Sequence, residues 1–280
     1  MTGVVSFNDS AYPKLLKEIG DAPKQLYYKG TWNPELFEHC LAVVGTRRMT
    51  SYGKRVTEQL VGQVAAAGVT IVSGFMYGID AAAHSAALRA GGKTIAVMPS
   101  GIDVIHPEYQ KDLYNEILSP YGRSPEGGET NGLILSEYEG TFLPTLWSYP
   151  KRNRIVAGLS HATMVVEAGE KSGSLITANF AKKFGRKVFA VPGQLTSSVS
   201  VGIMQLIKEG ASVVTSAKDI LDYFRQNSGF FSSLSLASKA GSPTTKKILN
   251  SGSNSTLEQK ILEQLQAEPK EVDELARLFE

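Results

Sequence analysis

Short apolar runs rich in β-branched residues alternate along most of the chain with segments whose apolar residues recur at helical spacing. Seven runs predict β-strands, at positions 41–44, 69–72, 94–98, 133–135, 163–166, 187–191 and 212–214. The segments between them predict helices at about 53–67, 79–90, 107–118, 151–159, 174–184 and 199–209, and an amphipathic piece at 217–224 follows the last strand. Because strands buried on both faces read as continuous apolar runs, this alternation predicts an α/β fold with a doubly wound, mostly parallel sheet.

The two ends of the chain do not share this alternation, which we assign to a domain at 41–225. In residues 1–40, prolines and a Tyr-Tyr pair predict a short helix and an extended flap joined to the sheet. The composition at 226–255 shifts to Ser, Gly, Lys and Thr, which predicts a flexible linker. Two amphipathic helices split by Pro269 are predicted at 256–280, as the start of a truncated winged-helix-like module.

The composition limits the class of protein. The chain of 280 residues has a formal net charge of +2, so an anionic ligand would be met by a local cluster of cations rather than by a global field. Cys40 is the single cysteine, which excludes an internal disulfide and fits a reducing compartment. No signal peptide is evident, and no run approaches the roughly 20 apolar residues of a membrane helix. We therefore expect a cytoplasmic protein without a membrane segment.

Small, hydroxylated and basic residues follow four of the predicted strands. In an open parallel sheet, ligands bind beyond the carboxyl ends of the strands, where glycine turns and helix N-termini offer backbone N–H groups to anions. The candidate anion-binding residues are Gly45, Thr46, Arg47 and Arg48 after the first strand, Ser73 and Gly74 after the second, Lys151, Arg152, Asn153 and Arg154 at the end of the loop after the fourth, and Lys171, Ser172, Gly173 and Ser174 after the fifth.

The segment YPKRNRIV raises an electrostatic question. Pro150 predicts the start of a helix, and the cations Lys151, Arg152 and Arg154 would then lie in its first turn. A helix N-terminus carries a partial positive charge, so these cations are unfavourable there unless an anion lies between them and the helix. A bound phosphate would offset this cost. The alternative is that the arginines are solvated or pair with the carboxylates of Glu137, Glu139 and Glu167.

The pattern of glycines and cations favours a polynucleotide over a mononucleotide. The dinucleotide fingerprint G-x-G-x-x-G is absent after the first strand, and no G-x-x-x-x-G-K-[ST] sequence exists. Repeated basic and hydroxylated clusters match the repeated phosphates of a nucleic-acid backbone, and nearby aromatic side chains could stack unpaired bases. Those aromatic residues are Phe75, Tyr77, Phe142, Trp147 and Tyr149.

Catalytic and metal-binding patterns are weak. No G-x-S-x-G sequence surrounds a serine, so no nucleophile is assigned. Asp80 and His84 stand four residues apart on a predicted helix, a spacing that could ligate a metal. Without a second His or Cys pair nearby, a capping or packing role is favoured. We therefore predict no catalytic residue, no metal ligand and no cofactor.

Several segments, in unbroken order, resemble the DprA/Smf (DNA processing protein A) family over residues 7–224. They include GTRRMTSYG, SGFMYGIDAAAHSAAL, TIAVMPSGIDVIHP, YPKRNRIVAGLS and VVEAGEKSGSLITANFA. The resemblance implies an extended Rossmann-like domain that forms a homodimer, binds single-stranded DNA, protects incoming strands during natural transformation and helps to load the RecA recombinase. It implies no catalytic activity. The family's DNA-contact motif maps onto Gly45, Thr46 and Arg47, its second basic region onto Lys151, Arg152 and Asn153, and its serine-glycine turns onto Ser73-Gly74 and Ser172-Gly173-Ser174.

The chain departs from the family pattern at a few positions. Met76 and Tyr77 stand where relatives usually have a small residue and an arginine, Pro99 lies in a turn that is usually glycine-rich, and Thr145 stands where relatives often have a cation. These departures predict a less charged groove and a lower affinity.

Two other functions remain open from the sequence. One is a nucleotide-binding enzyme similar to the LOG-type phosphoribohydrolases, although EAGEKSGSLIT stands where their PGGxGTxxE signature is expected. The other is an assembly scaffold that dimerises through 217–224 and the strand 212–214.

Overall fold

The computed structural model describes residues 2–119 and 132–227. The strands are β1 (Gly3–Ser6), β2 (Gln25–Gly30), β3 (Cys40–Val44), β4 (Thr70–Ser73), β5 (Thr94–Gly101), β6 (Gly132–Tyr138), β7 (Ala162–Val165), β8 (Lys187–Ala190) and β9 (Ser212–Val213). The α-helices are α1 (Lys14–Lys17), α2 (Ser51–Ala66), α3 (Ile79–Arg89), α4 (Lys111–Leu118), α5 (Ser148–Gly158), α6 (Gly173–Lys183), α7 (Val201–Lys208) and α8 (Ala217–Asn227). Short 3-10 turns occupy Pro34–Phe37, Glu108–Gln110 and Ser198–Ser200.

The described strands form one sheet in the order β1-β2-β6-β5-β4-β3-β7-β8-β9. Strands β3 to β9 pair in parallel, and β1 and β2 pair antiparallel at the β6 edge. From β3 the chain first builds outward through β4, β5 and β6, and then returns to the other side of β3 through β7, β8 and β9. The order therefore reverses between β3 and β7, and such a switch point is where open α/β sheets bind ligands.

Both faces of the sheet are covered. Side chains alternate between the faces of a strand, so neighbouring residues of β3 belong to different cores. Ala42 and Val44 lie in one cluster with Ile155 of α5, and Leu41 and Val43 lie in another that α2, α3 and α8 cover. These layers confirm the predicted doubly wound, mostly parallel, Rossmann-like sheet.

The predicted strands at 41–225 are all present, with ends that differ by up to three residues. Residues 1–40 add α1 and the two antiparallel strands to the same sheet. Gln226 and Asn227, which we placed in the linker, belong to α8. The rest of the predicted linker, and the module predicted at 256–280, lie outside the described residues.

Helix α8 directs its apolar residues into its own protein. Ile220 and Phe224 are fully buried in the cluster that α2 also covers, while Val213 of β9 is 43% exposed. Leu221 and Tyr223 of this helix are only partly buried, so the dimer surface predicted at 212–214 and 217–224 stays a prediction.

In the described part of the chain, no helix has the length and the apolar content that crossing a bilayer requires.

Candidate functional site

A cavity of about 650 Å³ lies at the switch point of the sheet, beyond the carboxyl ends of β3 and β4 and beside the N-terminal turns of α5 and α6. It brings together residues that are more than 100 positions apart in the sequence. Ten of the candidate anion-binding residues line it, namely Gly45, Thr46, Arg47, Arg48, Gly74, Arg152, Asn153, Ser172, Gly173 and Ser174.

Three other candidates lie beside this cavity. Ser73 is fully buried and donates a hydrogen bond to the carbonyl oxygen of Val43 (2.6 Å), so it joins β4 to β3. Lys151 is exposed and lies 3.6 Å from Glu137. Lys171 lines a neighbouring cavity of about 340 Å³ between α6 and α7. Lys151 and Lys171 thus add positive charge around the cavity rather than within it.

Arg154 does not face the cavity. Its guanidinium pairs with the carboxylates of Glu137 (2.6 Å) and Asp21 (3.1 Å), and the arginine side chain is 5% exposed. The sequence had left open whether this arginine meets a phosphate or an internal carboxylate, and the structure places it in the carboxylate network. Arg154 therefore holds the N-terminal lead-in against α5 and β6.

Arg152 is a buried cation in the cavity wall. Its guanidinium donates hydrogen bonds to the carbonyl oxygens of Gly74 and Val97, the latter at 2.5 Å. Burial lowers the pKa of Arg152 to about 10, and the nearby carboxylate of Asp80 opposes that change. Arg152 therefore keeps its charge at neutral pH, and the cavity wall carries a fixed positive charge.

Asp80 is the acidic counterpart of this cation. Burial raises the pKa of Asp80 to about 6, while the charge of Arg152 and hydrogen bonds from backbone N–H groups, including that of Met76, act in the opposite direction. The sequence indicated a helix-capping role for Asp80, and it missed the buried charge that faces Arg152. Because Asp80 lines the same cavity, its carboxylate reduces the positive potential there.

Helix α5 begins at Ser148, so the predicted start at Pro150 was two residues late. Ser148 exchanges hydrogen bonds with Thr145: its hydroxyl accepts from the Thr145 N–H (3.0 Å) and donates to the Thr145 carbonyl (2.9 Å). Lys151 consequently lies at the end of the first turn and Arg152 beyond it, where the effect of the helix dipole has largely fallen off. The helix itself needs no bound phosphate to tolerate these cations.

The loop between β3 and α2 is held by Glu167. The Thr46 N–H donates to the Glu167 carbonyl (2.7 Å), and the Thr50 N–H and hydroxyl donate to the Glu167 carboxylate at 2.9 and 2.5 Å. Thr50 also caps α2, since its hydroxyl accepts from the Gly53 N–H (3.0 Å). Among the described residues, no arginine lies at ion-pair distance from Glu167, the alternative that the sequence left open. Glu167 instead fixes the loop that carries Arg47.

Arg47 projects from this loop between two aromatic rings. Its guanidinium carbon lies 5.6 Å from the ring centroid of Tyr77 and 5.2 Å from that of Tyr149, distances at which cation–π attraction operates. Tyr149 is held in turn by a 2.7 Å hydrogen bond to Nε2 of His106. Within residues 2–119 and 132–227, no carboxylate lies at ion-pair distance from Arg47. The exposed guanidinium is thus positioned but still available to an anion.

The N-terminus of α6 forms the opposite wall. Ser172 caps this helix and accepts a hydrogen bond from the Ser174 N–H (3.4 Å). Asn153 joins the two walls, because its amide donates to the Gly173 carbonyl (3.3 Å) and its side-chain oxygen accepts from Nε of Arg152 (3.2 Å). The positive end of the α6 dipole and an arginine therefore face one space, an arrangement that suits a phosphate.

The structure corrects the stacking role predicted for Phe75 and supports the packing role favoured for His84. Phe75 is fully buried and packs edge-on against Tyr114, so it offers no surface to a base. His84 is fully buried, and its Nδ1 lies 2.7 Å from the Thr94 hydroxyl. Since that hydroxyl donates to the Ile71 carbonyl, His84 Nδ1–H is the donor to Thr94, as the packing role requires. Among the described residues, no group of three or more His, Cys, Asp and Glu side chains could hold a metal ion.

The family model described as DNA recombination-mediator protein A matches residues 3–225. DNA processing protein DprA of Streptococcus pneumoniae is 43% identical over 219 residues, which are 78% of this chain and 73% of that protein. Protein Smf of Synechocystis is 41% identical over 217 residues, which are 76% of this chain and 52% of that protein. The chain thus spans about half the length of the Synechocystis relative.

Solved structures agree with these matches. The X-ray structure of the S. pneumoniae protein aligns with a TM-score of 0.71 at 42% identity, over 79% of this chain and 73% of that chain. A structure of DNA processing protein A from Helicobacter pylori, described as giving insights into its single-stranded DNA binding mode, aligns with a TM-score of 0.69 at 32% identity. That alignment covers 81% of this chain and 97% of the H. pylori chain.

Proposed function

The chain belongs to the DNA recombination-mediator protein A family, and from this premise we propose that it binds single-stranded DNA, without sequence specificity, along the cavity at the switch point of the sheet. The position of Arg47 carries this proposal. An exposed guanidinium that lacks a carboxylate partner among the described residues faces glycine turns and a helix N-terminus across one cavity. Groups of this kind recognise the phosphates of a backbone and do not read bases.

The aromatic side chains around the cavity support a preference for single strands. Tyr149 lies beside Arg47, and Trp147 is 54% exposed with the Lys151 ammonium 5.8 Å from its ring centroid. Unpaired bases can stack on such rings, whereas the bases of a duplex are already stacked on each other. Phosphate contacts and stacking together would give tight binding that does not depend on sequence.

The family also supports proposals about the biological role. We expect the protein to protect incoming strands during natural transformation, to help load the RecA recombinase on them, and to do so in the cytoplasm as a binding protein with no catalytic step. Phosphate binding would explain why glycine turns and cations lie together at the site. A phosphoribohydrolase similar to the LOG type is not favoured, because the matches to the family extend over the whole described domain.

For the homodimer we favour the edge strand β9. It lies at the end of the sheet, it pairs with β8 on one side, and Val213 is 43% exposed. Sedimentation of the protein and of a Val213→Lys variant at two concentrations tests this surface. A dimer that persists unchanged in the variant places the interface elsewhere.

The DNA-binding proposal is tested by fluorescence anisotropy with labelled oligo-dT and with a duplex of the same length, at two salt concentrations. We expect preference for the single strand and a slope of log K against log salt of roughly −2, for about three neutralised phosphates at about 0.7 each. Absence of binding to oligo-dT at low salt, or an equal affinity for the duplex, contradicts the proposal.

A further inference from the structure

Two exposed tyrosines stand together at the rim of the cavity. Tyr109 is 70% exposed and Tyr77 is 39% exposed. Their ring centroids are 6.3 Å apart and the rings are inclined at 47°. Tyr77 lines the cavity, whereas Tyr109 is not among its lining residues, so the pair extends the aromatic surface outward. We call these two side chains the tyrosine platform.

Buried contacts fix the backbone beneath the tyrosine platform. Gln110, the neighbour of Tyr109, is buried, and its side-chain amide donates to the Phe75 carbonyl (2.9 Å). Phe75 lies two residues before Tyr77 and is itself fully buried. The turn that carries Tyr109 is therefore joined to the segment that carries Tyr77. A surface that is ordered before a ligand arrives loses less entropy on binding.

The tyrosine platform is continuous with the cation of the site. Arg47 lies 5.6 Å from the Tyr77 ring centroid, so a phosphate bound at Arg47 would place the adjacent nucleotide within reach of Tyr77 and then of Tyr109. At this position the chain presents a ring face, which suits a base rather than a phosphate.

We propose that the tyrosine platform binds one unpaired base by stacking, next to the phosphate held at Arg47. This rests on the proposed function, because the base belongs to the strand that the cavity binds. All four bases present a π-face, so the contact adds affinity without adding sequence specificity. It makes part of the binding energy independent of salt.

The test compares two ligands and four proteins. The ligands are oligo-dT and an oligomer of the same length in which every nucleotide is an abasic spacer, so that only the first can stack. The proteins are the wild type, Tyr109→Ala, Tyr109→Phe and Tyr52→Ala. Tyr52 is the control, because it is 39% exposed, like Tyr77, yet does not line the cavity.

We expect Tyr109→Ala to weaken oligo-dT binding about five- to tenfold, the range for loss of one modest base–aromatic contact. Binding of the abasic oligomer should stay within about twofold of the wild type, and Tyr109→Phe and Tyr52→Ala should both bind oligo-dT like the wild type. The proposal that the tyrosine platform stacks a base is overturned if Tyr109→Ala binds oligo-dT like the wild type, or if the variant weakens binding of both ligands equally. Failure of the wild type to bind oligo-dT overturns the proposed function instead.

Discussion

The guanidinium of Arg152 donates a hydrogen bond to the carbonyl oxygen of Gly74, and it fills the space that a Cβ atom on residue 74 would occupy. The buried cation of the cavity wall therefore depends on a residue without a side chain 78 positions away. Gly74 follows the end of β4, so this contact joins the turn after β4 to the cation. The close approach of the guanidinium explains why residue 74 is a glycine, and no unusual backbone conformation is needed to explain it.

Gly74→Ala should displace Arg152, because the new methyl group would collide with a guanidinium that is buried and held by the carbonyl oxygens of Gly74 and Val97. We expect a loss of about 1–3 kcal/mol in the free energy of unfolding, as in other overpacked sites. The affinity for oligo-dT should fall as well, since the fixed charge leaves its position. Urea denaturation and anisotropy titration measure the two effects.

Gly62→Ala is the matched control for this substitution. Gly62 lies within α2, and a Cβ atom there would meet nothing within 4 Å. Alanine in a helix is more stable than glycine by roughly 0.5–1 kcal/mol, so this variant should gain stability and bind DNA normally. Equal stability of the two variants would show that the Cβ at residue 74 is accommodated without moving Arg152.

Arg47→Ala should separate binding from stability. Arg47 is exposed and touches only ring faces in the contacts described, so its loss should leave the free energy of unfolding nearly unchanged. The affinity for oligo-dT should fall, and the slope of log K against log salt should become shallower by about 0.7, the value for one lost phosphate contact on a single strand. An unchanged slope removes Arg47 from the binding site.

Arg154→Ala should have the opposite effect. This side chain is 5% exposed, and its removal leaves the carboxylate of Glu137, 16% exposed, without its closest cation. Loss of one partner of a largely buried ion pair should cost about 2–4 kcal/mol of unfolding free energy. The salt slope for oligo-dT should stay at the wild-type value. A normal stability with a shallower slope would instead return Arg154 to the DNA-binding surface.

Thr50→Ala tests whether the loop that carries Arg47 is held in place. The variant loses the cap of α2 and both hydroxyl contacts, to the Gly53 N–H and to the Glu167 carboxylate. Loss of such a cap costs about 1–2 kcal/mol, and we expect weaker DNA binding because the loop is released. Thr50→Ser keeps the hydroxyl and should behave like the wild type in chemical denaturation and in anisotropy titration. If both variants bind DNA normally, the Thr50 hydroxyl has no part in positioning Arg47.

The sequence predicted the strands and the switch-point cluster because both depend on local patterns. Apolar runs mark buried strands wherever they occur, and the carboxyl ends of parallel strands share one edge. The sequence does not separate Arg152 from Arg154, because both are cations in one short basic segment. Positions two apart on a helix differ in direction by about 200°, so they face different surroundings. What each one meets, Gly74 or Asp21, is set by elements far away in the sequence.

Phe75 shows a second limit of the sequence. It stands between glycines in a segment that otherwise lines the cavity, so an exposed aromatic ring was a natural expectation. The residue has a φ of +56°, the left-handed conformation that few side chains adopt, and its ring is buried beside Tyr114. Nothing in the residue pattern marks this conformation. The tyrosine two positions later is the ring that reaches the surface.

Asp80 gives a prediction about pH. Burial raises its pKa from an ordinary value of 3.8 to about 6, so the folded protein holds the proton more tightly than the unfolded chain does. The stability that this group contributes is therefore fully present below about pH 4 and is lost as the pH rises to about 6. In Asp80→Asn the side chain is neutral at every pH, so this decline should be absent. The difference in unfolding free energy between the wild type and the variant should therefore change between about pH 4 and about pH 6.

The same substitution should strengthen DNA binding at pH 7, because the carboxylate that opposes Arg152 in the cavity is removed. We expect an increase of about two- to fivefold in affinity for oligo-dT, the scale of one partly screened charge. Denaturation of both proteins between pH 4 and 7, with anisotropy titration at pH 7, measures both effects. Asp103→Asn is the control, since Asp103 is an exposed carboxylate paired with Lys29 and does not line the cavity. Unfolding free energies of the wild type and Asp80→Asn that stay parallel over the whole range would mean that burial does not raise the pKa of Asp80 in the folded protein.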